Sequence, residues 1–366
     1  MFFVFVLFAL FDDHIHPPFC FVIGELFCYR IYPLPSTGGH GILITFMAWK
    51  SDNKCDRVYS RNGAVLLRKI IIFVVLCSAW VKADTFHVDG VEFVYRMPAS
   101  IRNEKAQQIP VSARRDAVAL PRVMVLFGGR GWQGEKTLAT YTFDRLADKH
   151  GLILLSPSFS KGDYWEPEHG SGETLKKAIA EVLRRSSLIR NEKAPPIPHS
   201  SFLIPDCNLY LYGYSAGGQC ANLFYAWMPG EVAAWGAHGC GVYNTEKIKG
   251  MAGRQLAPAL ITCGIEDAER HAISRQFAYA YREMGGGLLW KPYPGSGHEL
   301  PRDALALAEA WFDAVISGTP PCFVGEDDIL RVFPADKSDM VDVEFRNPIA
   351  NETIREQWQA VTGVIE

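Results

Sequence analysis

The chain has no excess of positive charge: across 366 residues, 37 Lys and Arg stand against 40 Asp and Glu, for a net charge of -3. A nucleic-acid-binding face or a polybasic membrane patch is therefore not expected. It also lacks an apolar run of the roughly 20 residues that a membrane-spanning helix needs. No internal repeat recurs at a fixed period, which excludes a solenoid or a propeller. The nine cysteines include no C-x-x-C pair and no Cys/His spacing that suggests a metal. What is present is a 48% hydrophobic, 12% aromatic composition, enough to bury a large core. Small-molecule or polymer partners fit this balance better than nucleic acid.

The N-terminal region separates from the rest by composition. Arg68 and Lys69 precede an apolar stretch, Ile70–Val81, that ends in the small-residue pattern Val81-Lys82-Ala83. Basic, apolar and small-residue segments in that order read as an export signal over 65–83, so the mature protein is expected to be secreted or periplasmic, with no stable membrane insertion after cleavage. Residues 1–64 are aromatic and hold no sustained periodicity, and are read as an upstream extension wrongly joined to the protein. Met1–Phe11 is a weaker signal core, since no basic residue precedes it and Asp12 and Asp13 follow. Past residue 83, Cys207, Cys220, Cys240, Cys263 and Cys322 allow up to two disulfides in an oxidising compartment.

From residue 84, strand-like and helix-like segments alternate. That is the signature of an α/β domain, expected over 84–320, with a mainly parallel central sheet and helices on both faces. "FHVDGVEFVYRMP" reads as a hairpin turning at Asp89-Gly90. "RVMVLFGG" reads as a buried strand, "KTLATYTFDRLADKHG" as one helix, "LILLSPSF" as the next strand and "GETLKKAIAEVLRRSSLI" as the next helix. After a proline-interrupted connection come "NLYLYGYS", a helix over about 217–228, the strands "EVAAWGAHG" and "PALITCG", a helix over about 269–284, the strand "LLWKPYP" and a last helix, "LPRDALALAEAWFDAVI". Residues 321–366 form a tail with a helical end and no chemistry of its own. Asn351-Glu352-Thr353 matches a glycosylation acceptor.

The sharpest motif is Gly213-Tyr214-Ser215-Ala216-Gly217, a G-x-S-x-G run between a strand and a helix. Glycine two positions either side of a serine suits a strand-to-helix turn tight enough to present a hydroxyl. A serine hydroxyl is a weak nucleophile and needs a base, itself oriented by a third group. With the partners ordered Ser, acid, His, only His238, His271 and His298 follow Ser215. His298, in the Gly-rich loop "YPGSGHEL" after a strand, is the expected base. Among Glu231, Glu246, Glu266, Asp267, Glu269 and Glu283, the choice is Asp267, three residues past the strand "ALITCG". Glu266 is its neighbour and rival, and a plain helix-capping role is the alternative for Asp267. Oxyanion donors are expected from the Ala216 amide and from Gly129 or Arg130 in the loop "GGRGWQG". A dinucleotide or phosphate cradle is the competing reading of that loop, which lacks the terminal Lys-Ser/Thr of a P-loop. Trp132, Tyr164, Trp165, Trp235 and Tyr243 fall near the loops expected at the catalytic edge, as an aromatic platform or as core.

With "GYSAGG" as elbow, "FGGRG" as oxyanion loop, "GIED" as acid loop and "GSGHEL" as histidine loop, the sequence resembles the α/β-hydrolase superfamily over about residues 85–318. Within it, the secreted esterases related to polyhydroxybutyrate depolymerases and feruloyl esterases look closest. The resemblance implies a cofactor-free acyl-enzyme mechanism on carboxylic esters, with Ser215, His298 and Asp267 in the triad roles. Phe127 departs from the His that many members carry before the glycines. A serine peptidase of the same superfamily, a non-catalytic binding protein retaining the fold, and acyl transfer to an alcohol are the alternatives.

Overall fold

The computed structural model describes residues 83–102, 121–160, 162–189, 208–251, 253–327 and 329–360, together with the backbone of four strands before residue 58. The chain divides into two compact units, Met1–Trp80 and Val81–Glu366. In the first, β1 (Cys20–Ile23), β2 (Phe27–Pro33), β3 (Ile42–Trp49) and β4 (Cys55–Arg57) pair in chain order into an antiparallel sheet. No element is read from the sequence there. The export signal expected over 65–83 lies outside the described residues except for Ala83.

The second unit is built on an eight-stranded sheet. Its strands are β5 (Asp84–Val88), β6 (Val91–Arg96), β7 (Arg122–Phe127), β8 (Leu152–Pro157), β9 (Asn208–Tyr214), β10 (Val232–His238), β11 (Ala259–Gly264) and β12 (Leu288–Tyr293). Their order is β12-β11-β10-β9-β7-β8-β6-β5. β5 and β6 form the hairpin expected at Asp89-Gly90, both residues at positive φ as a two-residue hairpin turn requires. β6 runs antiparallel to β8, and the remaining pairs are parallel.

Parallel strands are buried on both faces, which is why "VMVLF", "LILL" and "ALITC" are unbroken apolar runs. Alternation sends Val123, Val125 and Phe127 into one core layer and Met124 and Leu126 into the other. Helices Ser171–Ile189, Ala216–Trp227 and Ala268–Glu283 bury residues in the first layer, and Gly134–Tyr141, Asp144–His150 and Arg302–Ile316 bury residues in the second.

Two local expectations are corrected. The single helix expected before β8 is broken at Thr142, whose φ of +52° is left-handed. The break turns Phe143 into the second core layer, 1% exposed, against Tyr212 and Phe312. Burying a large ring there outweighs an unbroken helical ladder. The second correction concerns disulfides: Cys220, Cys240, Cys263 and Cys322 are all free, the first three buried and the last exposed. Cys207 lies outside the described residues.

The tail, to which the sequence assigns no role beyond a helical end, belongs to the second compact unit. β13 (Phe323–Glu326) pairs with β14 (Arg331–Pro334) and β15 (Arg346–Ile349) in an antiparallel sheet, followed by the helix Glu352–Gln359. Ile349, Ile354 and Trp358 join the second core layer, and Trp358 Nε1 donates to the Trp290 carbonyl on β12 at 2.7 Å. Asn351 caps that helix, its side chain accepting from the Ile354 amide at 3.0 Å.

Candidate active site

In an open parallel sheet, ligands bind beyond the carboxyl ends of the strands where the chain order reverses. Here β7 is that point: the chain passes from it to β8 on one side and then to β9 on the other. Phe127 pairs with Gly213 in the ladder, so the loop after β7 and the turn after β9 leave the sheet side by side.

Ser215 occupies that turn at φ +58° and ψ -120°, a strained conformation for a residue with a side chain. Both flanking glycines are demanded by close approach. A Cβ on Gly213 would stand 2.0 Å from the Gly217 carbonyl oxygen, and one on Gly217 would stand 2.1 Å from that of Phe127. Any side chain at either position would force backbone apart, which is the physical content of the G-x-S-x-G spacing. The helix Ala216–Trp227 starts directly behind the serine.

The structure brings together Ser215, His298 and Asp267. Ser215 Oγ lies 2.8 Å from His298 Nε2, and His298 Nδ1 lies 2.7 Å from Asp267 Oδ2. A carboxylate only accepts, so Nδ1 carries the proton and Nε2 is left to accept from the serine hydroxyl. Asp267 sits at the N-cap of the helix Ala268–Glu283, yet its side chain makes no capping bond. Its second oxygen accepts instead from Arg270 Nη1 at 2.9 Å. The carboxylate is 8% exposed and the imidazole 35%, so the acid is sheltered while the base faces the solvent side. Glu266 is exposed, and His271 packs by its ring against Trp290.

The candidate oxyanion donors line the same rim. The Trp132 amide donates to the Gly129 carbonyl at 2.9 Å, with Gly131 at φ +76°, which closes a tight turn carrying Arg130 at its exposed corner. Among the described residues, the amides of Gly129, Arg130 and Ala216 donate to no backbone carbonyl outside regular elements. Ala216 is the first helical residue, whose N–H has no partner within its helix and feels the positive end of the dipole.

Gly129, Gly131 and Gly134 do stand at G-x-G-x-x-G spacing between a strand and a helix, so a dinucleotide cradle needs a structural answer. The Gly134 amide that opens the helix is already spent on Ser158 Oγ, 3.0 Å away, and a Cβ on Gly134 would meet Ser156 backbone at 2.6 Å. That helix start is packed against the sheet and is closed to a phosphate.

A serine on a strained strand-to-helix turn, at the reversal point of this sheet, decides the architecture. The fold is that of an α/β-hydrolase. Solved structures that the chain resembles include an esterase from Pyrobaculum calidifontis (14% identity, covering 71% of this chain and 94% of that one, TM-score 0.41). They also include the thermophilic carboxylesterase EstE1 from a metagenomic library (15%, 69% and 97%, TM-score 0.43) and esterase PE8 (17%, 54% and 94%, TM-score 0.40). No protein-family model and no curated protein matches the chain.

Of the aromatic residues expected near the rim, Trp132 is half-buried beside Tyr214, with ring centroids 5.6 Å apart. Tyr164 and Trp165 are half-buried and edge-on to each other at 5.0 Å. Trp235 is not at the rim. It is fully buried on β10, stacked on Tyr225 and edge-on to Tyr281, because the alternation of the strand points it into the first core layer. Tyr243 stacks on Phe277 at 4.2 Å and belongs to the same packing.

His238, one of the three histidines that follow Ser215 in the chain, lies beneath the site. It is fully buried between the Thr262 hydroxyl and the Glu299 carbonyl, each 2.7 Å away. Its signal in the sequence was only its place at the end of a strand, in register with Tyr214.

Proposed function

We propose that the protein is a serine hydrolase acting on carboxylic esters through an acyl-enzyme. The observation that carries this reading is the unbroken relay from Ser215 Oγ through His298 to Asp267, at 2.8 and 2.7 Å, with the serine held at positive φ.

Ser215 Oγ attacks the acyl carbon while its proton passes to His298 Nε2, and Asp267 holds the imidazolium through Nδ1–H. The oxyanion forms next to the amides of Ala216 and of Gly129 or Arg130. Collapse breaks the ester bond, and His298 returns the proton to the departing alcohol. Water then attacks the acyl-serine by the same route, releasing the acid and restoring the hydroxyl.

Trp132, Tyr164 and Trp165 are the side chains we assign to the substrate, and their half-buried rings suit a phenolic or sugar-bearing ester, or a polyester. We also propose export, on the basic, apolar and small-residue order of 65–83. Among the described residues no helix is long and apolar enough to cross a membrane.

The test is a panel of p-nitrophenyl esters and peptide anilides on the wild-type protein, Ser215→Ala and His298→Ala. Ester turnover is expected, with a fall of about a thousandfold or more in either variant. Equal turnover in the alanine variants rejects the reading, and anilide cleavage without ester cleavage replaces it with a peptidase.

A further inference from the structure

The histidine loop, residues 294–301, has no helix or strand and carries Gly295 at φ +73° and Gly297 beside the base. Such a backbone does little by itself to fix the His298 ring. Two side chains meet it from the carboxyl ends of neighbouring strands and a third backs them, in ladder register: Tyr214 on β9 pairs with His238 on β10, which pairs with Thr262 on β11. Tyr214 Oη donates to the His298 carbonyl at 2.8 Å. Its ring lies against the imidazole, with centroids 5.3 Å apart at 30°. One residue on, His238 Nε2 meets the Glu299 carbonyl. A carbonyl only accepts, so Nε2 carries the proton, and Nδ1 of the neutral ring accepts from the Thr262 hydroxyl.

We infer that Tyr214 and His238 clamp the consecutive carbonyls of residues 298 and 299 and act as positioning residues for His298, with Thr262 setting the His238 tautomer. The inference rests on the triad reading above. Burial keeps His238 neutral, its pKa pushed down to about 4, so no second positive charge sits under His298 when that ring takes the serine proton. Misplacing a reacting group by about 1 Å costs on the order of a hundredfold in rate, so releasing either carbonyl has a kinetic consequence.

The experiment measures kcat and KM for a p-nitrophenyl ester on the full chain carrying Tyr214→Phe, His238→Leu or His238→Gln, with Ser215→Ala as reference. Each of the first two is also combined with His298→Ala. Tyr214→Phe and His238→Leu are expected to lower kcat about 10- to 100-fold with KM within about threefold. His238→Gln, whose amide still offers a donor to Glu299, recovers most of that loss. In the His298→Ala background neither substitution lowers the residual rate further, because both act through the missing ring.

Wild-type kcat in folded Tyr214→Phe and His238→Leu overturns the clamp, as does an equal loss with and without His298. Should His238→Leu fail to fold, Tyr214→Phe decides, since it removes one oxygen and keeps the stacked ring. Full activity in Ser215→Ala instead removes the triad reading and the clamp with it. A wild-type-like Tyr214→Phe beside an inactive Ser215→Ala removes the clamp alone.

Discussion

At the residue scale, the site is held by a local conflict. Ser215 carries a side chain where φ is +58°, a backbone state that costs about 1–3 kcal/mol for a residue with a Cβ. Glycine adopts it freely. Ser215→Gly is therefore expected to be more stable than Ser215→Ala by about 1 kcal/mol in urea denaturation, although neither has a hydroxyl. A glycine variant less stable than the alanine variant would remove strain from the account of the turn. The five-residue motif made this position legible, since a glycine whose Cβ would strike backbone at 2.0 or 2.1 Å leaves a mark in any sequence that folds this way. Asp267 was only half legible. A carboxylate before a helix serves equally as a cap, and only the position of His298 shows that its side chain makes no capping bond.

At the element scale, the tail finishes the edge of the large sheet. Arg282, on the helix before β12, pairs with Asp327 at 2.6 Å and with Asn347 Oδ1 at 2.6 Å, both acidic and basic partners being almost fully buried. Asn347 in turn accepts from the Trp290 amide on β12 at 2.7 Å and donates to Asp327. Lys291 donates to the carbonyls of Trp358 and Ala360 at the end of the last helix.

Taking one partner from a buried ion pair leaves the other charged and unpaired. Arg282→Met is expected to destabilise the protein by about 3–5 kcal/mol in equilibrium denaturation, and adding Asp327→Leu to recover part of that loss. A double variant no better than the single one would show that packing, not the stranded charge, sets the loss. None of this was readable from 321–366, because the partners of Asp327 and Asn347 lie on elements 45 and 65 residues away in the chain. The break at Thr142 escaped for a related reason: helical periodicity runs through it, and only the pocket that takes Phe143 demands the turn.

At the scale of the whole molecule, acid stability should report the buried histidine. The unfolded chain protonates His238 near pH 6.5, whereas burial delays protonation in the native protein to about pH 4. Between those values the unfolded state binds more protons, so stability falls as pH drops through the window, by up to about 3 kcal/mol from this residue. Above pH 6.5 the residue contributes no pH dependence. Subtracting the stability-pH curve of His238→Gln from that of the wild type isolates the effect, since the carboxylates titrate in both. A flat difference curve between pH 6.5 and 4 contradicts a neutral buried imidazole.

The sequence by itself determined the class of the second unit, because alternating apolar runs and amphipathic segments can bury their surfaces only as a covered parallel sheet. It also marked Ser215, since the glycine spacing around it is local in the chain, and it narrowed the partners to His298 with Asp267 or Glu266 without fixing their contacts. The tertiary structure alone decided what Trp235, His238 and the tail do. A side chain on a central strand faces one layer or the other according to register, and a buried polar group takes whatever partner the fold brings to it from far along the chain.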